Sequence, residues 1–225
     1  VIVSSFIKCD FTGFKKGFSF DSYVTIFNRL WTNIRNTFVF SSVAIVFIII
    51  LGMLISYIVV RQKGLAGQLM DLLIMFPFVI PGAVLGISLI VAFNKQPVIL
   101  TGTAAIMIIA FIVRKLPYTA RSGSAFLQQM DVSVEEASIS LGVSPMKTFF
   151  QVTARLMAPG ILSGAILSWI TCINELSSSV MLYGGKTSTI SVAIYTEVVR
   201  NSFGTAAALA SILTVSTVIS LLIFL

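Results

Sequence analysis

Phe38 to Val60 of this chain carries no charged residue, and the run closes on Arg61 and Lys63. A helix crossing a bilayer's hydrocarbon core needs roughly 20 mostly apolar residues at about 1.5 Å each, and this run supplies them. Leu72 to Phe93, LLIMFPFVIPGAVLGISLIVAF, is a second such run. Leu100 to Val113 is a shorter third, closing on Arg114 and Lys115 and borrowing flanking residues to span. Ile161 to about Ser179 is a fourth, interrupted by Glu175, and Thr205 to Leu225 is a fifth without charge. Composition agrees: 57% of residues are hydrophobic and 10% charged, against about 45–50% and 25% in a soluble domain. In lipid each backbone polar group must be bonded internally, which a helix does within one segment. The runs predict an all-α fold, a polytopic membrane helix bundle of about five spans.

Several functions are excluded at this stage. With no histidine and eight Asp plus Glu in 225 residues, no catalytic constellation or metal cluster can be assembled, so neither catalytic residues nor metal ligands are expected. The net charge of +7 comes from scattered basic residues without interleaved aromatics, so no nucleic-acid partner is expected. Cys9 and Cys172 lie far apart and form no disulfide framework. The chain begins with Val and stops on LLIFL, so it is expected to be a segment of a longer polypeptide.

Two domains are expected. Residues 1–37 form an N-terminal segment in which Phe20, Tyr23, Phe27, Leu30 and Trp31 recur at helical spacing near Arg29 and Arg35. This reads as an amphipathic helix, either at the membrane interface or as a docking surface. Residues 38–225 form the membrane domain, interrupted by a polar loop at about 131–158. With that loop on the cytoplasmic side, the positive-inside rule is roughly balanced. Only the tight clusters Arg61/Lys63 and Arg114/Lys115 favour this orientation.

The loop, VEEASISLGVSPMKTFFQVTARLMAPG, is longer than a simple return needs. Ser133 and Glu136 fit a capping box, which predicts a short helix through Leu141. Gly142 then stands where a left-handed residue ends a helix. Ser144-Pro145 restarts one, serine as N-cap and proline in the first turn. The loop therefore reads as helix, tight turn, helix. From the residues alone, an ordered connector and a projecting docking element both stay open. A DNA-reading helix-turn-helix is disfavoured, because spans bracket the loop and its second helix offers only Lys147, Gln151 and Arg155.

These residues resemble the EAA loop of permease subunits of binding-protein-dependent ABC importers, whose pattern runs E-A-A, three residues, G, nine residues, I-x-L-P. The chain carries Glu136-Ala137-Ser138, Gly142 and Val152 at that spacing, and departs from the pattern at Ser138 and at Ala154-Arg155. The resemblance extends to NTFVFSSVAIV, IPGAVLG, RKLPYTARSG and NELSSSVMLYGG along the chain, and ELSSSVMLY is most similar to the ferric-iron branch. It implies a multi-pass permease in the cell (inner) membrane of a prokaryote, with iron(III) as the expected cargo. Relatives for putrescine, thiamine and phosphonate, and an ATP-independent secondary transporter, are the alternatives. It also implies that Glu135, Glu136, Ala137, Gly142, Ser144 and Pro145 couple to an ATPase subunit. The chain would then hold no cofactor and no enzyme activity, since ATP and Mg belong to the partner. The implied partners are two ATP-binding subunits or domains, a second permease half or copy, an extracytoplasmic substrate-binding protein and membrane lipid. The chain itself resembles one half lacking its first span.

A path for substrate is sought at Pro77, Pro81 and Glu175. The prolines interrupt the helical hydrogen-bond ladder, and Gly82, Ala83 and Gly86 allow close helix contact. An intramembrane carboxylate at Glu175 faces either a hydrated cavity or the interface. Gly185-Lys186-Thr187 mimics the end of a phosphate-binding loop, but Val180 stands where that motif needs glycine. It is expected to be a turn.

Overall fold

The computed structural model describes residues 1–10, 13–62 and 64–224. Lys63 and Leu225, named above at the ends of two runs, lie outside the described residues. Helices dominate, as expected: α1 (Ile2–Ser5), α2 (Asp21–Arg61), α3 (Leu65–Val79), α4 (Gly82–Ala92) and α5 (Ala104–Gln128). There follow α6 (Ser133–Ser140), α7 (Pro145–Ile173), α8 (Ser179–Leu182), α9 (Ile190–Val199) and α10 (Phe203–Phe224). Two antiparallel hairpins are the strands among the described residues. One pairs β1 (Ile7–Asp10) with β2 (Gly13–Phe18), and the other β3 (Asn94–Lys95) with β4 (Val98–Ile99).

Helices cover all five expected runs with shifted ends, but fewer than five of them qualify as spans. Three helices, α2, α7 and α10, are long and apolar enough to cross a membrane, and α3 with α4 makes a fourth if that broken pair is one span. The break has a simple cause. Proline disfavours the helical conformation in the residue before it. Ile80, before Pro81, is extended at φ −72°, ψ 129°, so α3 stops at Val79. Pro77 sits inside α3, near its end. The third run belongs to α5, which continues past Val113 through Arg114, Lys115 and Arg121. The fourth begins far earlier than Ile161. At Ala154-Arg155, where the pattern has Leu-Pro, the second loop helix continues, and α7 runs on from Pro145 and through Pro159, with one wide turn at Phe149–Thr153. Helical backbone likewise continues across residue 37. The aromatic segment runs into the first turns of α2, which holds a similar wide turn at Ile26–Leu30, with Phe20, Phe27 and Trp31 exposed and Ile26 and Leu30 buried.

The chain divides into two compact units. The first comprises Val1–Ala44, Pro81–Phe111 and Ile170–Leu225. In it α9, α1 and β1 all pack on α10. Gly86 permits close approach, since a Cβ there would lie 2.9 Å from Met181 Cβ. Glu197 at the end of α9 is fully buried and pairs with Arg29 at 2.6 Å and Arg200 at 3.2 Å.

The second unit comprises Ile45–Ile80 and Ile112–Trp169. Its helices meet through small residues. A Cβ on Gly164 would come within 2.6 Å of Thr119 Cα, and one on Gly160 within 2.4 Å of Phe126 Cβ. Hydroxyl groups add links between helices: Ser56 Oγ of α2 donates to Ala120 O of α5 at 2.8 Å, and between α5 and α7 Ser122 Oγ donates to Gly160 O at 2.6 Å and Ser168 Oγ to Lys115 O at 2.9 Å. Small residues with hydroxyl cross-links are the expected solution where lipid supplies no hydrophobic drive between helices. Leu127, Met157 and Ile161 form its buried centre, covered by Met53, Tyr57 and Met130 among others.

Candidate functional site

The loop folds as helix, turn, helix within the second unit, from α6 into α7. Its turn is a Schellman motif. Gly142 adopts φ +86°, its N–H reaches Ile139 O at 2.9 Å, and the N–H of Val143 reaches Ser138 O at 3.2 Å. Those two bonds satisfy carbonyls that a helix end otherwise leaves unpaired. Pro145 takes the first position of α7 behind an extended Ser144 (ψ 150°). Glycine and proline thus stand where the spacing put them.

The start of α6 differs from the expected capping box. The helix begins at Ser133 itself, Val132 holds the N-cap position, and no side chain caps from there. Asp131 does the work instead, its Oδ1 accepting the Ser133 N–H at 2.9 Å. That bond, together with one to the Ser133 side chain, holds the Asp131 carboxyl below the usual carboxylate range.

The adjacent glutamates point in opposite senses. Glu136 is exposed, as are Ala137, Gly142, Ser144 and Pro145. Around them stand Leu141 at 85% exposure, Met146 at 68% and Ile139. These positions form an exposed surface of apolar side chains with one carboxylate. Glu135, grouped with these residues from the sequence, does not belong to the face. It is buried, and Oε1 accepts Arg61 Nη2 at 2.9 Å and Nε at 3.1 Å. A helical step of one residue turns a side chain by about 100°, so both neighbours cannot share a face. A charge run gave no signal for this pairing, although Arg61 closing a span gave half of it.

Two further contacts hold the loop. The Ser138 and Thr148 hydroxyls lie 3.0 Å apart, so the serine that departs from the EAA pattern joins the two loop helices. Phe149, buried in α7, packs edge-on to Tyr57 of α2 with ring centroids 4.9 Å apart.

The remaining candidates are dispersed. Glu175 was expected inside a span, but α7 ends at Ile173 and Glu175 follows it in a buried turn. Its Oε1 accepts Ser178 N–H at 3.1 Å and Ser178 Oγ at 3.0 Å. Gly185-Lys186-Thr187 is a turn, as expected, and Lys186 O accepts Asn36 Nδ2 at 2.8 Å. Sequence reasoning missed Glu197, which lies in a short apolar helix with its arginines one turn and a whole chain away. In the second unit, Met75, Phe78, Pro117, Tyr118, Arg121 and Leu167 help line an apolar cleft of about 420 Å³. An Arg121–Asp71 ion pair at 3.0 Å stands beside it.

Residues 48–225 match the family described as binding-protein-dependent transport system inner membrane component. The ferric transport system permease protein FbpB of Actinobacillus pleuropneumoniae is 35% identical over 194 residues, which cover 86% of this chain and 28% of that protein. A Haemophilus influenzae protein named FbpB 1, for ferric transport, is 36% identical over 152 residues, covering 68% of this chain and 24% of that one. The chain thus spans about a quarter of the length of these two relatives. A Salmonella paratyphi A protein named PhnV, for 2-aminoethylphosphonate transport, is 27% identical over 97% of this chain and 83% of its own length. Among solved structures, a bacterial ABC transporter that imports alginate superposes with a TM-score of 0.73 at 15% identity, over 93% of this chain and 82% of that one. That likeness concerns the fold, whereas the family match covers most of the sequence and includes the loop. The chain belongs to the family of inner-membrane components of binding-protein-dependent transport systems.

Proposed function

We propose that the chain is the permease part of an ABC importer, which forms the translocation path and receives the work of ATP hydrolysis through residues 131–158. The observation that carries this reading is the exposed face of the loop. Leu141, Met146 and Glu136 are all exposed, about a turn fixed by the left-handed Gly142. Exposed apolar side chains with few charges among them suit a protein cleft. The partner on that face is a nucleotide-binding subunit, which carries ATP and Mg. Glu136, Ala137, Gly142, Ser144 and Pro145 form the contact, and Glu135 acts from behind it. A second permease half or copy and an extracytoplasmic binding protein complete the assembly. Residues 1–37 lie at the outer interface of the membrane domain, 38–225.

For the cargo we favour iron(III), which the names of FbpB and FbpB 1 support. The alternative is an organophosphonate, supported by the longer coverage of PhnV. Pro77 and Pro81 are assigned to the gate. Glu175, whose carboxylate is taken up by Ser178, is assigned to its own turn and not to the path.

The test is co-expression with the ATPase subunit and binding protein, followed by affinity purification and uptake of radioactive iron(III). Glu136→Lys and Gly142→Asp should each leave the chain in the membrane. Each should lower ATPase recovery and uptake at least tenfold. A non-glycine at φ +86° costs on the order of 1 kcal/mol, and aspartate adds a second charge to the face. Full ATPase recovery in both variants would refute the docking assignment. Uptake of 2-aminoethylphosphonate in place of iron would overturn the cargo alone.

A further inference from the structure

We infer that Arg61 and Glu135 form a latch that makes the inner end of α2 move with the coupling loop, which gives the loop a third output besides the helices it is spliced into. The inference rests on the coupling role proposed above. By chain connectivity the loop joins only α5 and α7. Residues 45–61 of α2 lie far from it in sequence and have no covalent means of following it. Three contacts supply what the chain does not. Arg61 holds Glu135, in the first turn of α6, through Nε and Nη2 at 3.1 and 2.9 Å. Tyr57 sits one helical turn earlier, so it shares a face with Arg61, and its ring meets Phe149 of α7 at 4.9 Å. Ser138 and Thr148 then tie α6 to α7 at 3.0 Å. Both loop helices are therefore gripped by one face of one helix, and they are also tied to each other.

The environment makes the ionic contact selective. The Arg61 and Glu135 side chains are 14% and 8% exposed. Solvent and salt screen such a pair far less than a surface pair. Breaking it on one side strands a charge in a partly dry site, so the pair holds one arrangement in preference to a graded series. Tyr57 and Met130 continue the contact into the Leu127, Met157 and Ile161 cluster, so the latch is continuous with the packed centre of the unit. The same pair also explains the two glutamates. Glu136 faces the partner and Glu135 faces the machine, so a push on one is passed to the other through a single turn of helix. Arg61 and Glu135 are positioning residues, since neither touches nucleotide or cargo.

The test uses the complete complex in lipid nanodiscs with its ATPase subunit, and measures how far the binding protein, loaded with iron(III) or in a parallel arm with 2-aminoethylphosphonate, stimulates ATP hydrolysis. That ratio reports transmission through the permease. The variants are Glu135→Gln, Arg61→Glu, Glu135→Arg and the double exchange Arg61→Glu with Glu135→Arg. Each single change should keep the ATPase subunit and hold unstimulated hydrolysis within about twofold of the parent, because the exposed face is intact. Stimulation should fall at least fivefold. The double exchange, which restores opposite charges, should recover at least half of it, and a merely structural defect would not be rescued in this way. Undiminished stimulation in the single variants would overturn the latch. So would equal loss in single and double variants at normal assembly, or release of the ATPase subunit by Glu135→Gln. Failure of the unaltered chain to bind any ATPase subunit would overturn the coupling role itself, a result distinct from all of these.

Discussion

Two polar interruptions divide the apolar sequence, residues 131–158 and residues 174–189, and they fold in different ways. Each contains glutamate, serine and glycine. In the first, the polar and apolar groups around the turn stand outward, with Leu141 85% exposed and Glu136 in solvent. In the second, the groups close on their own unit. Ser178, Ser179 and Thr189 are buried, Glu175 is held by Ser178, and the Lys186 and Ser188 carbonyls accept Asn36 Nδ2 at 2.8 and 3.0 Å. The Ile190 N–H is satisfied by Thr37 Oγ1 at 2.8 Å. A polar stretch in a membrane chain thus either stands open, as the docking role proposed for the first requires, or satisfies its own backbone where helices break. Composition does not separate the two uses, and the direction of the side chains does.

The sharpest way to break the contrast is to make the open face polar. Leu141→Asp with Met146→Asp removes the apolar part of the proposed docking face, and both positions are exposed, so the fold loses little. Recovery of the ATPase subunit should fall more than tenfold and uptake with it, at an unchanged amount of chain in the membrane by immunoblot. Retention of the subunit would place docking elsewhere.

The sealed turn should respond in the reverse order. In Glu175→Ala the Ser178 N–H and hydroxyl lose their acceptor inside a buried site. A buried polar group left unsatisfied costs about 1–3 kcal/mol, so assembled chain should drop severalfold. Glu175→Gln keeps a carbonyl oxygen and should lose less. Uptake per assembled chain and ATPase recovery should stay normal in both. Normal assembly with slowed uptake would return Glu175 to the translocation path and erase the contrast.

Much of this was legible in the sequence. Charge-free runs gave the helices, because length and apolarity are all that a bilayer asks of a span. Gly142 and Ser144-Pro145 gave the turn, because few residues adopt a left-handed conformation or open a helix so readily. Span ends were less legible. Ile161 is where strong apolarity begins, but α7 starts at Pro145, since a helix stops for lack of hydrogen bonds and not for a change of polarity. Long-range pairs were not legible at all. Glu135 with Arg61, and Glu197 with Arg29, join residues whose meeting depends on how the helices pack. From the sequence alone Glu135 looked like its neighbour.

The smallest expected effect sharpens the open region at its edge. Asp131 caps α6 through the Ser133 N–H at 2.9 Å, and this bond favours the charged carboxylate, so its folded pKa lies below the unfolded value of about 3.9. A group with a lowered folded pKa contributes stability above its unfolded pKa, and loses it as pH falls through the folded value. The first turn of α6 should therefore hold equally well between pH 8 and 5, and loosen only below about pH 4. Asp131→Asn retains a side-chain acceptor and should remove that acid dependence with little loss near neutrality, whereas Asp131→Ala should loosen the turn at every pH. Amide exchange at Ser133 to Glu136 measures all three cases. The Arg61 contact holds Glu135 independently of the cap, so loosening should stay within the first turn and leave ATPase recovery unchanged. Loss of the ATPase subunit from Asp131→Ala at neutral pH would mean that the cap, and not the latch, sets the position of the docking face.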